Sequence, residues 1–168
     1  MEVRRLRIDD LDSFFECRLR ALKQDPNAFM MTYEEESAKG PGHFQSVLAK
    51  NEETNVIFGA IDGARIVATA GLFQESRTKN RHKAILWGMF VEPEQRGKGL
   101  GGKLLNLVIE HAHKTMKARS LLISVEATNT SARALYEKHG FKKWGTEPRA
   151  MKVGESFLDE DQMVLLLD

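Results

Sequence analysis

The chain has 168 residues, 42% hydrophobic and 29% charged, enough for one core and too short for two ordinary domains, so a single domain over residues 1–168 is expected. Lysine and arginine total 25 against 24 acidic residues, a near-neutral balance that gives no basis for a protein that coats nucleic acid or an anionic membrane. One cysteine, Cys17, excludes an intramolecular disulfide framework, and the charged opening MEVRRLRIDD has no apolar stretch of the signal type. No segment approaches the roughly 18 unbroken apolar residues that span a bilayer, and the expected compartment is the cytoplasm.

In chain order, Val3 to Ile8 alternates and predicts an opening strand. Leu11, Phe14, Phe15, Leu19 and Leu22 then recur at helical spacing, with Asp9 or Asp10 available as the cap. The Asp-Pro in QDPNAFMMT interrupts this pattern. A weaker helical stretch, roughly Tyr33 to Lys50, carries the breakers Gly40, Pro41 and Gly42, which predicts two short pieces or a mobile lid. From Asn55 the period becomes that of strands: NVIFGAID and ARIVATAGLFQ read as a hairpin turning at Asp62-Gly63. SRTKNRHK is the next turn, its basic residues a solvated tip, and AILWGMFVEP is a third strand of the meander, ended by Pro93. A helix is expected from about Gly99 to Met116, with Leu104, Leu105, Val108, Ala112 and Met116 on one face. SLLISVEA is a strand whose apolar run suits burial on both sides. In NTSARALYEKHGF, Asn129 caps a short helix that Gly140 stops, and KKWGTEP and EDQMVLLLD supply two closing strands. The order β-α-α-β-β-β-α-β-α-β-β describes an α/β protein with a mixed sheet.

The segment EQRGKGLGGKLL fits three phosphate-binding patterns. Gly97, Gly99 and Gly102 match G-x-G-x-x-G, with Glu126 at the end of the next strand in the place of a ribose-binding acid. A dinucleotide loop should leave its strand almost at once, however, whereas EPEQR intervenes here after an antiparallel meander. Gly97 and Gly102-Lys103 match the start of a nucleotide-triphosphate loop, but Leu104 has no hydroxyl to ligate magnesium. The third pattern is Arg96-x-x-Gly99-x-Gly101 after a strand ending FVEP. Glycines let backbone approach a ligand, N–H groups at a helix start present positive ends, and Arg96 and Lys98 add charge, which together meet the needs of a pyrophosphate.

FVEPEQRGKGLGGKLLNLVIEHA followed by LLISVEATNTSARALYEKHGF resembles the coenzyme-A-binding core of the GNAT superfamily of acetyltransferases, and GESFLDEDQMVLLL resembles the end of many members. The specific part covers about residues 84 to 142. The resemblance implies a single-domain, mostly antiparallel central sheet flanked by helices, and acetyl-CoA as co-substrate. It implies that the pyrophosphate rests on backbone groups of Arg96, Gly97, Lys98, Gly99, Leu100, Gly101 and Gly102. It implies that the pantetheine arm pairs like an extra strand along Met89, Phe90 and Val91, with Asn129 bonding the arm from the other side. Asn129 is equally an ordinary helix cap. Tyr136 is implied as the catalytic acid, since a phenol of pKa about 10 can give a proton or hydrogen bond to the departing thiolate.

The base is left open. Some members carry a glutamate where this chain has Ile85, so a proton could pass through water to Glu126 or another carboxylate, or the amine could arrive neutral. Trp87 and Met89 share the strand parity of Ile85 and are expected either to line the acceptor pocket or to pack the core. Phe29 to Met31 fall where members often place an acceptor loop, or they cover the sheet edge. His111 and His113 face apart on a helix and Cys17 lies among core positions, so neither a metal nor a covalent mechanism is expected. The implied activity is transfer of acetyl to a primary amine of a small molecule or peptide, with no nucleic-acid or membrane partner. Dimers are common in such folds, and the sequence marks no dimer surface. A coenzyme-A-binding regulator without turnover and an NAD-type dinucleotide-binding protein are the alternatives.

Overall fold

The computed structural model describes residues 1–49 and 53–168. Its elements are β1 (Glu2–Arg5), α1 (Leu11–Gln24), α2 (Tyr33–Lys39), α3 (Gly42–Ala49), β2 (Asn55–Asp62), β3 (Arg65–Gln74), β4 (Lys83–Val91), α4 (Leu100–Glu110), β5 (Ser120–Glu126), α5 (Thr130–Lys138), β6 (Lys142–Val153) and β7 (Ser156–Leu166). The strands form one sheet in the order β1-β2-β3-β4-β5-β7-β6, antiparallel throughout except for β4 beside β5. This is the mixed, mostly antiparallel α/β domain expected.

Strand alternation divides the apolar residues between two layers. Val56, Phe58 and Ala60 face a core closed by Leu104, Leu105 and Val108 of α4 and Tyr136 of α5. Ile57 faces the opposite core, with Phe14, Cys17 and Leu22 of α1 and Phe44 of α3. Gly71 is required by the second layer: a Cβ there would lie 2.1 Å from the ring of Trp87, its partner on β4. That ring stacks in turn on Phe44, 6.2 Å away.

Several local expectations need correction. Neither Asp9 nor Asp10 caps α1 with its side chain. Asp10 instead accepts the Arg7 N–H at 2.7 Å and the Arg4 guanidinium at 2.7 Å, closing the preceding 3-10 turn. The weak helical stretch splits at Gly40 into α2 and α3, the two short pieces expected, so three helices rather than two precede β2; its expected end at Lys50 lies outside the described residues. A Thr32–Glu35 capping box starts α2, a local signal strong enough to separate the two pieces. The closing strands run far beyond the expected segments, turning at Gly154. Past the last β5 pair, Glu126 with Glu160, they continue as a two-stranded arm held by backbone pairing, where polar side chains obscure the period.

Two features of β4 open the sheet. It pairs with β5 only from Lys83 to Ile85, after which the two strands have no further register. Opposite β3, the register jumps between Gly71–Trp87 and Thr69–Phe90, and Gly88 in the bulge adopts a φ of +60°. The extra residue flips the alternation. Trp87 therefore packs on the α1 and α3 side, whereas Met89 packs on the α4 side, which overturns the expectation that they share a face.

Candidate active site

The loop after β4 begins as a 3-10 turn at Pro93–Gln95, and Glu92 anchors its start. This buried carboxylate accepts from Arg20 Nε at 2.6 Å and Arg65 Nη2 at 2.8 Å, tying the end of β4 to α1 and the β2–β3 turn. Gly97 and Gly99 adopt φ of +75° and +78°, and a Cβ on either would meet nothing within 4 Å. Backbone angle, not crowding, requires glycine at these positions. The first intrahelical bond of this turn runs from Lys103 N to Gly99 O at 3.1 Å, leaving the N–H groups of Leu100, Gly101 and Gly102 at the unpaired, positive end of α4. Gly101 answers to packing as well, because a Cβ there would lie 3.1 Å from Leu135 Cδ2 and 3.6 Å from Met89 Cε.

A cleft of about 430 Å³ runs from this helix start to Tyr136, lined by Gly97, Gly99 to Gly102, Met89, Val91 and Asn129. Glu92 N donates to Val67 O on β3, so alternate residues Val91 and Met89 turn their backbone groups toward the open side of β4. Phe90 is turned to β3, and its ring is buried in the α1-side core, away from the cleft. Arg96 lines the cleft, and its guanidinium is engaged by two other lining residues: Nε holds Val91 O at 2.9 Å and Nη2 holds Asp25 at 2.5 Å. Lys98 bonds Gln95 Oε1 at 3.0 Å and lies outside the lining. Both cations thus bond within the protein and brace the loop, while the N–H groups at the start of α4 are left unpaired.

Asn129 Oδ1 accepts the Ala132 N–H at 3.1 Å, so the carbonyl half of the amide caps α5 while the residue still borders the cleft. Tyr136 is 3% exposed and packs on Phe141 at 5.6 Å. Its hydroxyl makes no hydrogen bond among the described residues, and burial pushes the phenol well above its ordinary pKa, which keeps it protonated. The ring borders the loop cleft and also a narrow gap where β4 and β5 part, beside Gly88, Ser124 and Glu126.

A model of the acetyltransferase (GNAT) family matches residues 11–141. The chain belongs to the GNAT family. A probable N-acetyltransferase, YjcK of Bacillus subtilis (strain 168), is 29% identical over 124 residues, 73% of this chain and 67% of that protein. The spermine/spermidine N(1)-acetyltransferase of the same strain is 33% identical over 76 residues, 45% of this chain and 50% of its own length, so the match spans about half of that relative. The fold is similar to a GNAT-superfamily phosphinothricin acetyltransferase from Sinorhizobium meliloti solved with acetyl-CoA, with a TM-score of 0.82, 20% identity and coverage of 99% of this chain and 88% of that one.

In this GNAT acetyltransferase the gap beside Tyr136 continues into a second cleft of about 430 Å³, sharing Ala28, Leu86, Trp87, Gly88 and Ser124 with it. Ile85 lines this outer cleft, so no carboxylate stands at that position of β4. Phe29 is buried against the α1-side core while Met30 is 72% exposed at the cleft rim, so the loop both covers the sheet and borders the opening. Sequence reasoning missed Arg18, Glu147 and Glu160, which also line it. Burial, followed by the charges of Glu147 and Glu126, raises the Glu160 carboxyl above its usual range. Nothing local in the sequence marks these residues, because strand register and helix docking bring them together. Among the described residues, no group of three or more His, Cys, Asp or Glu is placed to hold a metal ion, and no helix is long and apolar enough to cross a membrane.

Proposed function

We propose that this chain moves the acetyl group of acetyl-CoA directly to a primary amine of a small molecule or peptide, with Tyr136 serving the departing sulfur. One observation carries the reading: Tyr136 borders both the helix-start cleft and the gap between β4 and β5, and that gap opens into a second cleft bordered by carboxylates. The residues fit the co-substrate. Unpaired N–H groups of Leu100 to Gly102 suit a pyrophosphate, and the edge of β4 at Met89 and the Val91 N–H, beside the carbonyl that Arg96 holds, suits an extended amide-bearing arm. Acetyl-CoA supplies a thioester, whose C–S bond breaks as the amine nitrogen bonds the carbonyl carbon. The chain's own part is to hold the two reactants on either side of Gly88, to accept the nitrogen's proton on a carboxylate of the outer cleft, and to give the Tyr136 proton to the leaving sulfur.

The test is acetyl-CoA-dependent thiol release across a panel of amines against a no-amine control. Release above control with an amine supports the reading. Binding of acetyl-CoA without transfer to any amine would refute it and point to a coenzyme-A-binding regulator.

A further inference from the structure

The outer cleft is bipolar, and this property restricts the acceptor. Glu147 and Glu160 line the cleft and pair across β6 and β7, and Glu160 pairs in turn across β7 and β5 with Glu126, which lines the connecting gap. Directly paired residues in antiparallel strands share a face, so three carboxylates stand in a row where like charges are unfavourable. Glu126 is held by the Thr128 N–H at 3.1 Å and hydroxyl at 2.7 Å, and Glu147 accepts from Gln162 Nε2 at 3.3 Å. No cation pairs with any of the three among the described residues.

The same cleft is also lined by Arg18 of α1, which is only 8% exposed. Its Nη2 meets Glu36 at 3.3 Å, and Glu36 is itself shared with His43, whose Nε2 lies 2.6 Å from the other carboxylate oxygen. Nε is buried without a hydrogen-bond partner, and Nη1 has none among the described residues. The Phe29 ring, 4.9 Å from the guanidinium carbon, holds the group in place, and Nη1 lies 3.7 Å from where a Cβ on Gly88 would be. A buried guanidinium with idle donors beside the β4 bulge is suited to an oxyanion. A polycationic acceptor would use the acidic row but would be opposed by Arg18.

We propose that this cleft takes a zwitterionic acceptor of the α-amino-acid class, its carboxylate on Arg18, its ammonium on the Glu147–Glu160 side, and an apolar side chain toward Met30 and Met31. The assignment rests on the acetyl-transfer reading above and names the acceptor class for it. A volume of about 430 Å³ is ample for such a molecule.

The test compares L-leucine, L-leucinamide, isopentylamine and spermidine as acceptors for the full chain, and measures L-leucine binding to the coenzyme-A-loaded protein by calorimetry. L-leucine should exceed L-leucinamide and isopentylamine by at least about tenfold in kcat/KM, since a site built to pair a polar group rejects analogues lacking it. In Arg18→Gln the ratio of L-leucine to isopentylamine should collapse toward unity, and Arg18→Lys should restore part of it. Equal or faster transfer to isopentylamine or spermidine by the unaltered protein would overturn the proposal while leaving acetyl transfer to amines intact. If no amine is acetylated, the transfer reading fails, and calorimetry decides the subsite separately: L-leucine binding that Arg18→Gln abolishes supports it, and no binding overturns it.

Discussion

Replacing Tyr136 with phenylalanine separates chemistry from packing. The ring lies in the core beside Phe141, and phenylalanine preserves that contact. The hydroxyl has no hydrogen-bond partner among the described residues, so the stability change should stay within ~0.5 kcal/mol. Loss of a proton donor at the leaving sulfur should slow turnover on the order of 100-fold, ~2.7 kcal/mol of barrier. Stopped-flow thiol release at saturating acetyl-CoA, a direct acetyl-CoA binding measurement and a melting curve together provide the assay. Burial raises the Tyr136 phenol above the ordinary value of about 10, so the wild-type advantage should hold from neutral pH to about 10. Turnover of Tyr136→Phe within threefold of wild type would refute the assigned role. An advantage that fades near pH 9 would refute the claim that burial keeps the phenol protonated.

Other predictions concern the scaffold and both clefts. Asp161, 1% exposed, accepts from Arg133 at 3.1 Å, Lys143 at 2.7 Å and Thr146 at 2.8 Å, joining β7 to α5 and β6. Asp161→Ala should cost about 1–3 kcal/mol by denaturant unfolding at neutral pH, toward the low end of a broken buried pair because both cations can turn to water. Lys143 foremost holds the Asp161 carboxyl below its usual range. The deficit should therefore be full above about pH 4 and shrink as pH falls through the lower folded value; a deficit independent of acid would count against the pairing. Gly101→Leu should weaken acetyl-CoA binding at least about tenfold, since its side chain meets Leu135 and must enter the cleft; undiminished affinity would count against the helix-start cradle. Glu160 has a raised folded pKa, so its ionisation penalises the native state above that value and not below the unfolded value of about 4.3. Glu160→Gln should thus raise the melting midpoint at pH 7 and give no gain near pH 3.5, and a lowered midpoint at pH 7 would reverse this account of the acidic row.

The sequence determined what depends on neighbours along the chain. Glycines at positions 97 and 99 meet the left-handed backbone of the loop, Asn129 sits three residues before the N–H it caps, and apolar spacing aligns Leu104, Leu105 and Val108 on one face of α4. Each is a local relation of angle or period, so the helix-start cleft and most elements are legible in the order of residues alone. Tertiary structure decided what depends on partners far apart in sequence. The bulge at Gly88 reverses the parity of Trp87 and Met89 because it is defined by the register against β3. Arg96 and Lys98, cationic beside a phosphate pattern, are drawn into braces by Asp25 and Gln95. Glu126, Glu147 and Glu160 become neighbours only when β5, β7 and β6 pair, and Arg18 reaches Gly88 only because α1 docks across the sheet. The helix-start cleft is therefore written in one short segment, whereas the outer cleft is assembled from segments that only the folded sheet brings together.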